Sequence, residues 1–182
     1  MQNVLNIGII GAGRIGRVHA ATLAYRIPSA RILAVADVNL TAAQQLASQF
    51  GIPAAVDDPA TVFEHKDIEA VLICSVTGTH ARFIEEAARA GKHIFCEKPI
   101  ALDLATIDQA LAAAAKAGVK LQIGFNRRFD ANFARVRQAV ATGEIGAPHL
   151  MHIISRDPSP RWRQRSAITM ANSQVSSPSR HM

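Results

Sequence analysis

A doubly wound α/β fold, with a parallel sheet covered by helices on both faces, is predicted by three features of the sequence. Short runs that are apolar at successive positions alternate with segments of helical character. Residues suited to helix caps and stops fall at the junctions. The first strand-to-helix junction is a glycine-rich turn. Strands apolar on both sides belong in a sheet buried on both faces, and helices between them supply the cover.

In order along the chain, "NIGIIGAG" is an apolar run broken by glycines, and "RIGRVHAATLAYR" is a helix. "ARILAVAD" is the second strand. "TAAQQLASQFG" is the second helix, with Thr41 and Gln44 at capping-box spacing and Gly51 at its stop. "AVLICSV" leads to "THARFIEEAARAG", for which Thr79 is the expected cap and Gly91 the stop. "KHIFCEKP" follows as a strand. In "DLATIDQALAAAAKAG", Asp103 caps a helix whose Ile107, Ala110, Leu111, Ala114 and Ala115 share one face. "VKLQIGFN" is the next strand, closing a doubly wound α/β domain over residues 1–124. "DANFARVRQAVATGEIGAP" then gives a helix and a turn. "HLMHIISR" reads as the opening strand of a second domain, begun over residues 125–160.

With 182 residues and 49% hydrophobic content, the chain can bury one full core. The formal charge of +6 is concentrated in the tail. Arg161, Arg163, Arg165 and Arg180 lie among the last 22 residues, which hold no Asp or Glu, so residues 1–160 carry only +2. A basic tail without interleaved aromatics or a recognisable binding module argues against specific nucleic-acid recognition. Cys74 and Cys96 sit inside apolar runs, as small hydrophobes do. His149 and His152 are three apart on the expected strand and would face opposite sides, so no metal site is expected there. The first residues lack a charged n-region and a cleavage site, and no apolar run approaches the ~20 residues of a membrane span, so the expectation is a cytoplasmic protein without a membrane partner.

The chemistry starts at Gly11-Ala12-Gly13-Arg14-Ile15-Gly16. The pattern follows a strand, opens a helix, and is succeeded by Asp37, 21 residues after Gly16, at the end of the second strand. In this context Gly11 permits a tight turn, Gly13 lets a pyrophosphate approach the backbone, and Gly16 lets the helix pack on the strand. The N–H groups of the helix start then face the phosphates. Asp37 accepts hydrogen bonds from both adenosine ribose hydroxyls and repels a 2′-phosphate, so NAD is expected over NADP. The second motif is "CEKPIALD", with Glu97 and Lys98 directly after a strand, on the side of the sheet where ligands bind. A lysine there can hold a substrate hydroxyl and join in moving its proton. Taken alone, a Glu-Lys pair in a loop is as readily a solvated surface pair.

Together, "IGIIGAGRIGRVHA", "ADVN", "FCEKPIALD" and "GFNRRFD" resemble the family of glucose-fructose oxidoreductase, inositol dehydrogenase and rhizopine catabolism proteins, and within it the inositol 2-dehydrogenase type. The likeness runs in register from residue 4 to about residue 160. It implies a Rossmann domain that binds NAD and an oxidation of a ring hydroxyl of myo-inositol, or a related polyol, to a ketone. It also implies that residues 1–124 are the NAD-binding domain, that residues 125–160 begin an α+β domain for substrate binding and dimerisation, and that the intact family forms a homo-oligomer. Residue by residue, it implies that Gly11, Gly13, Arg14, Ile15, Gly16 and Asp37 hold the cofactor and that Lys98 is the catalytic residue beside the nicotinamide. Ser75, Thr77 and His80, in "SVTGTHA", are implied to line the cofactor with Glu97. Arg127, in "NRR", and Asp157, in "SRDP", match positions that approach the polyol. His80 is as readily an ordinary residue of a helix's first turn.

The chain departs from the family after Pro160. The family continues with a second domain carrying a Gly-Gly turn, an Asp and, one helical turn later, a His that complete the catalytic group. Here "RWRQRSAITMANSQVSSPSRHM" follows, with no Asp, no Gly-Gly and no strand alternation. Such a change is expected from a frameshift, a premature stop or a misjoined reading, with residues 161–182 a disordered tail and the chain an inactive fragment. Two readings remain open: a dehydrogenase by descent, and a non-catalytic NAD-binding module.

Overall fold

The computed structural model describes residues 4–154. Asp157 and the tail from residue 161 lie outside them. The chain divides into two compact units, Met1–Ala134 and Arg135–Met182.

The first unit carries a six-stranded parallel sheet made of β1 (Leu5–Ile10), β2 (Ala30–Ala36), β3 (Ala54–Val56), β4 (Ala70–Ile73), β5 (His93–Cys96) and β6 (Leu121–Ile123). Its order is β3-β2-β1-β4-β5-β6. The order reverses between β1 and β4, and this switch point is where such sheets open a crevice at their carboxyl ends. The predicted doubly wound fold is therefore the one observed.

Alternation along β1 explains the two layers. Ile7 and Ile9 join Val35, Leu72 and Cys74 in one core, which α1 (Arg14–Arg26) and α2 (Leu40–Phe50) cover with Ala20, Leu23, Ala43 and Leu46. Ile10 points the other way, with Ile73 and Cys96, into a core covered by α3 (Ala60–Glu64), α4 (Thr77–Arg89) and α5 (Leu104–Ala117). Cys74 and Cys96 thus lie on opposite faces of the sheet and cannot be bridged. The strand β3 and the five-residue helix α3 escape the sequence reading, because both are too short to show a period. What seats α3 is a missing side chain: a β-carbon on Gly8 would lie 2.3 Å from Val62 Cγ1.

Several helix ends differ from expectation. Asn39, not Thr41, caps α2, its side chain accepting from the Ala42 N–H at 3.2 Å. Gly51 stops that helix with φ 64°, as expected. Helix α4 begins at Thr77, ahead of the expected cap. Thr79 therefore sits within the first turn, and its hydroxyl donates back to the Val76 carbonyl at 2.8 Å. Asp103 does cap α5, accepting from the Thr106 N–H at 2.8 Å. That bond holds its carboxyl below the usual range. The buried face of α5 is narrower than its periodicity predicts. Ala110 and Ala114 are buried and Ile107 packs beside them, whereas Leu111 and Ala115 are exposed.

After β6 comes a 3₁₀ turn, Asn126–Phe129, and then α6 (Ala131–Ala141), the expected helix. In the second unit Arg135 pairs with Glu144, and Gly143 and Gly146 turn the chain with φ 72° and 68°. The strand expected from His149 is not formed over residues 149–154. An apolar run becomes a strand only when a neighbour pairs its backbone, and no described strand does so here. The alternation used to set His149 and His152 on opposite faces falls with it.

Among the described glycines the least room is at Gly16, at the start of α1, where a β-carbon would lie 2.0 Å from the Gly11 carbonyl oxygen. A backbone obstacle cannot rotate away, so the clash outweighs the ~1 kcal/mol of helix propensity that alanine brings. Gly16→Ala is expected to lower unfolding stability by about 1–3 kcal/mol in urea titrations. An unchanged or raised midpoint would show that the contact is not a constraint.

Candidate functional site

The candidate site is assembled at the carboxyl ends of β1, β2, β4 and β5. Gly11 has φ +104°, and a β-carbon there would meet Cys74 backbone atoms at 2.6 Å, so the turn tolerates glycine alone. Gly13, the residue before α1, is exposed, and a β-carbon there would meet nothing within 4 Å. The space beside it is open to a ligand.

The first backbone bond of α1 runs from the Arg17 N–H to the Gly13 carbonyl at 3.0 Å. The N–H groups of Arg14, Ile15 and Gly16 precede it, with neither a side-chain cap nor an acidic residue in the first turn. Arg14 is exposed, while Ile15 packs on the core beneath.

Asp37 directly follows β2 and is tied to the glycine turn. One carboxylate oxygen accepts from the Ala12 N–H at 2.7 Å, and the other accepts from the Asn39 N–H at 2.8 Å. Each oxygen keeps a further lone pair for a donor from outside. Next to Asp37, Val38 is 91% exposed, and Val76, directly before α4, is 72% exposed. Neither valine was singled out from the sequence. The signal was there, a large apolar residue directly after a strand-end polar one in "ADVN" and "CSVT".

The β4–α4 loop is held by side chains. The Ser75 hydroxyl lies 2.7 Å from that of Thr79, and Thr77 opens the helix half-buried. His80 is 2% exposed, with Nδ1 2.7 Å from the Pro99 carbonyl and Nε2 3.0 Å from the Ser75 carbonyl. Both ring nitrogens face protein carbonyls, so neither points to open space.

In the Glu-Lys-Pro segment, the Glu97 side chain turns back toward α1. Its Oε1 lies 2.8 Å from His19 Nε2, and the His19 ring meets Phe95 edge-on at 5.2 Å. Lys98 is exposed, and its ammonium meets no carboxylate among the described residues. The Lys98–Pro99 bond is cis. Arg127, in the 3₁₀ turn, is exposed and stacks over Phe133 with 5.1 Å to the ring centre. The glycine turn, Asp37, Ser75, His80 and Glu97-Lys98-Pro99 are therefore linked by direct contacts. Among the described residues, no group of three or more His, Cys, Asp or Glu is placed to hold a metal ion, and no helix is long and apolar enough to cross a membrane.

Sheet order, glycine turn and anchored aspartate define a dinucleotide-binding domain. The chain belongs to the oxidoreductase family with an NAD-binding Rossmann fold, whose model matches residues 5–125. It is 48% identical over 160 residues to the uncharacterized oxidoreductase YrbE of Bacillus subtilis, covering 88% of this chain and 47% of that one. It is 44% identical over 156 residues to the myo-inositol 2-dehydrogenase of Thermotoga maritima, covering 86% and 46%. A crystal structure of scyllo-inositol dehydrogenase from Lactobacillus casei, with bound NAD(H) and scyllo-inositol, superposes with a TM-score of 0.82 at 36% identity, covering 95% of this chain and 51% of that one. The chain spans about half the length of the curated relatives it matches.

Both cysteines lie at the strand ends beneath the site. Burial first, and the nearby Glu97 carboxylate second, push the Cys74 and Cys96 thiols from 9.0 up to about 12. At pH 8 each should carry about a thousandfold less thiolate than an open cysteine. A disulfide reagent should therefore modify neither in the folded protein and both in urea. Because the folded values are the higher ones, this stabilising contribution is complete below pH 9 and is lost as pH rises toward 12. Rapid labelling without denaturant would contradict the burial.

Proposed function

We propose that the chain holds NAD across the ends of β1, β2 and β4, and that it serves a dehydrogenase oxidising a ring hydroxyl of inositol or a related polyol to the ketone. The observation that carries the cofactor reading is the bond between Asp37 and the Ala12 N–H, 2.7 Å, which fixes a carboxylate beside the glycine turn. The substrate class is supported by the named inositol dehydrogenases among the relatives, since a fold alone does not define a substrate.

The residues divide the work. The N–H groups of Arg14, Ile15 and Gly16 bind the pyrophosphate at the positive end of α1. Gly13 leaves room for it. The free lone pairs of Asp37 accept from the two ribose hydroxyls, and Val38 and Val76 offer apolar surface to the adenine. Ser75 and Thr77 line the next stretch. When bound, NAD supplies the hydride acceptor. Lys98 holds the substrate hydroxyl and takes part in moving its proton. Glu97, paired with His19, fixes the base of the lysine loop. Arg127 approaches the polyol, a role that the family likeness also gives to Asp157, which lies outside the described residues.

Titration calorimetry tests the cofactor reading. Asp37→Asn keeps an acceptor for the turn but loses the charge, and NAD affinity is expected to fall about tenfold to a hundredfold, the worth of one or two charge-assisted hydrogen bonds. Gly13→Ala, whose new methyl meets no protein atom, is expected to keep stability within about 1 kcal/mol while weakening NAD at least tenfold. Unchanged affinity in both variants would remove the turn from the site. NADH formation with myo-inositol separates the dehydrogenase from a module that binds NAD without reaction. Turnover supports the first, and tight NAD binding with no turnover on any cyclitol supports the second.

A further inference from the structure

His80 is the one buried polar side chain among the described residues. Its place is unusual for a core residue. The ring lies between two carbonyls from separate loops, Ser75 after β4 and Pro99 after β5, and no backbone N–H among the described residues reaches either oxygen. A phenylalanine or leucine would fill the space and leave both carbonyls without a donor. The ring spans the two loops, with Nδ1 2.7 Å from the Pro99 carbonyl oxygen and Nε2 3.0 Å from that of Ser75, so the shorter contact is to Pro99.

Pro99 is the residue next to Lys98. On the other side of that lysine, Glu97 is fixed twice, by its side chain to His19 and by its N–H to the Ile73 carbonyl at 2.9 Å. The lysine itself is exposed, and among the described residues its ammonium meets no carboxylate. Its position is thus set by its neighbours, and on the Pro99 side these are the His80 ring on the Pro99 carbonyl and, one residue further on, the buried side chain of Ile100.

We propose that His80 is the positioning residue for Lys98. By joining the Pro99 carbonyl to the loop that begins at Ser75, it sets the lysine backbone at a fixed offset from the segment that lines the cofactor. The proposal rests on the reading of Lys98 as the residue beside the nicotinamide, and it assigns His80 no contact with the cofactor. A histidine that only filled the core would affect stability alone.

The test uses the full chain with its lysines reductively methylated with ¹³C. There are five, Lys66, Lys92, Lys98, Lys116 and Lys120, and the Lys98 signal is the one missing in Lys98→Arg. In the wild type, saturating NAD is expected to shift that signal. In His80→Phe the shift should fall by about half or more and the ligand-free signal should move, while calorimetric NAD affinity stays within about threefold. In His80→Gln, whose amide can donate to the Pro99 carbonyl, the wild-type signal should return at least in part. If His80→Phe does not fold, the comparison passes to His80→Gln and His80→Asn, the second being too short to reach Pro99 and expected to lose the signal. A folded His80→Phe or His80→Asn with wild-type Lys98 signals, free and bound, would overturn the proposal. Should the wild type fail to bind NAD, the functional reading falls, and the ligand-free Lys98 signal and its pH titration in the variants still decide the role of His80.

Discussion

The close approach of α1 to the end of β1 is the constraint on which the rest of the site depends. With no room for a β-carbon between Gly16 and the Gly11 carbonyl, the helix meets the sheet at one distance and one angle. That angle aims the N–H groups of its first turn at the space beside Gly13. It also brings Ala12 within reach of Asp37, so that the second strand is tied to the first through a side chain as well as through the ladder.

From this junction the contacts run in sequence across the sheet. Gly11 abuts Cys74 and Ser75, and Ser75 is joined to Pro99 through His80. His19, one turn along α1 from the glycines, reaches Glu97. The lysine loop is therefore referenced to the glycine turn by two independent routes, one through β4 and one through α1. Anchoring of this kind would serve the proposed hydride transfer, in which the reacting atoms are held about 3–3.5 Å apart. The buried, protonated thiols of Cys74 and Cys96 take no part and serve as packing beneath the loops.

Much of this was legible in the sequence, for physical reasons. Parallel strands buried on both faces leave near-continuous apolar runs, and "ILAVA" and "AVLIC" carry that mark. Glycines forced by φ or by contact leave a fixed spacing, so Gly11, Gly16 and Asp37 were found together. Elements of three and five residues, β3 and α3, are shorter than the period that would reveal them. Caps were misplaced where Asn39 and Thr41 competed within three residues, since geometry decides which side chain meets the free N–H. The inward turn of His80 and of Glu97 is a tertiary fact with no local signature. The strand expected from His149 is not formed, because pairing is made by a neighbour and not by the apolar run itself.

A carboxylate at Asp37, fixed beside the glycine turn, is expected to select NAD over NADP. Calorimetric titration of the same chain with the two nucleotides decides this. NAD is expected to bind, and NADP, whose 2′-phosphate would lie against the carboxylate, to bind at least about tenfold more weakly, a difference of ~1.4 kcal/mol. Equal affinities, or preference for NADP, would contradict it.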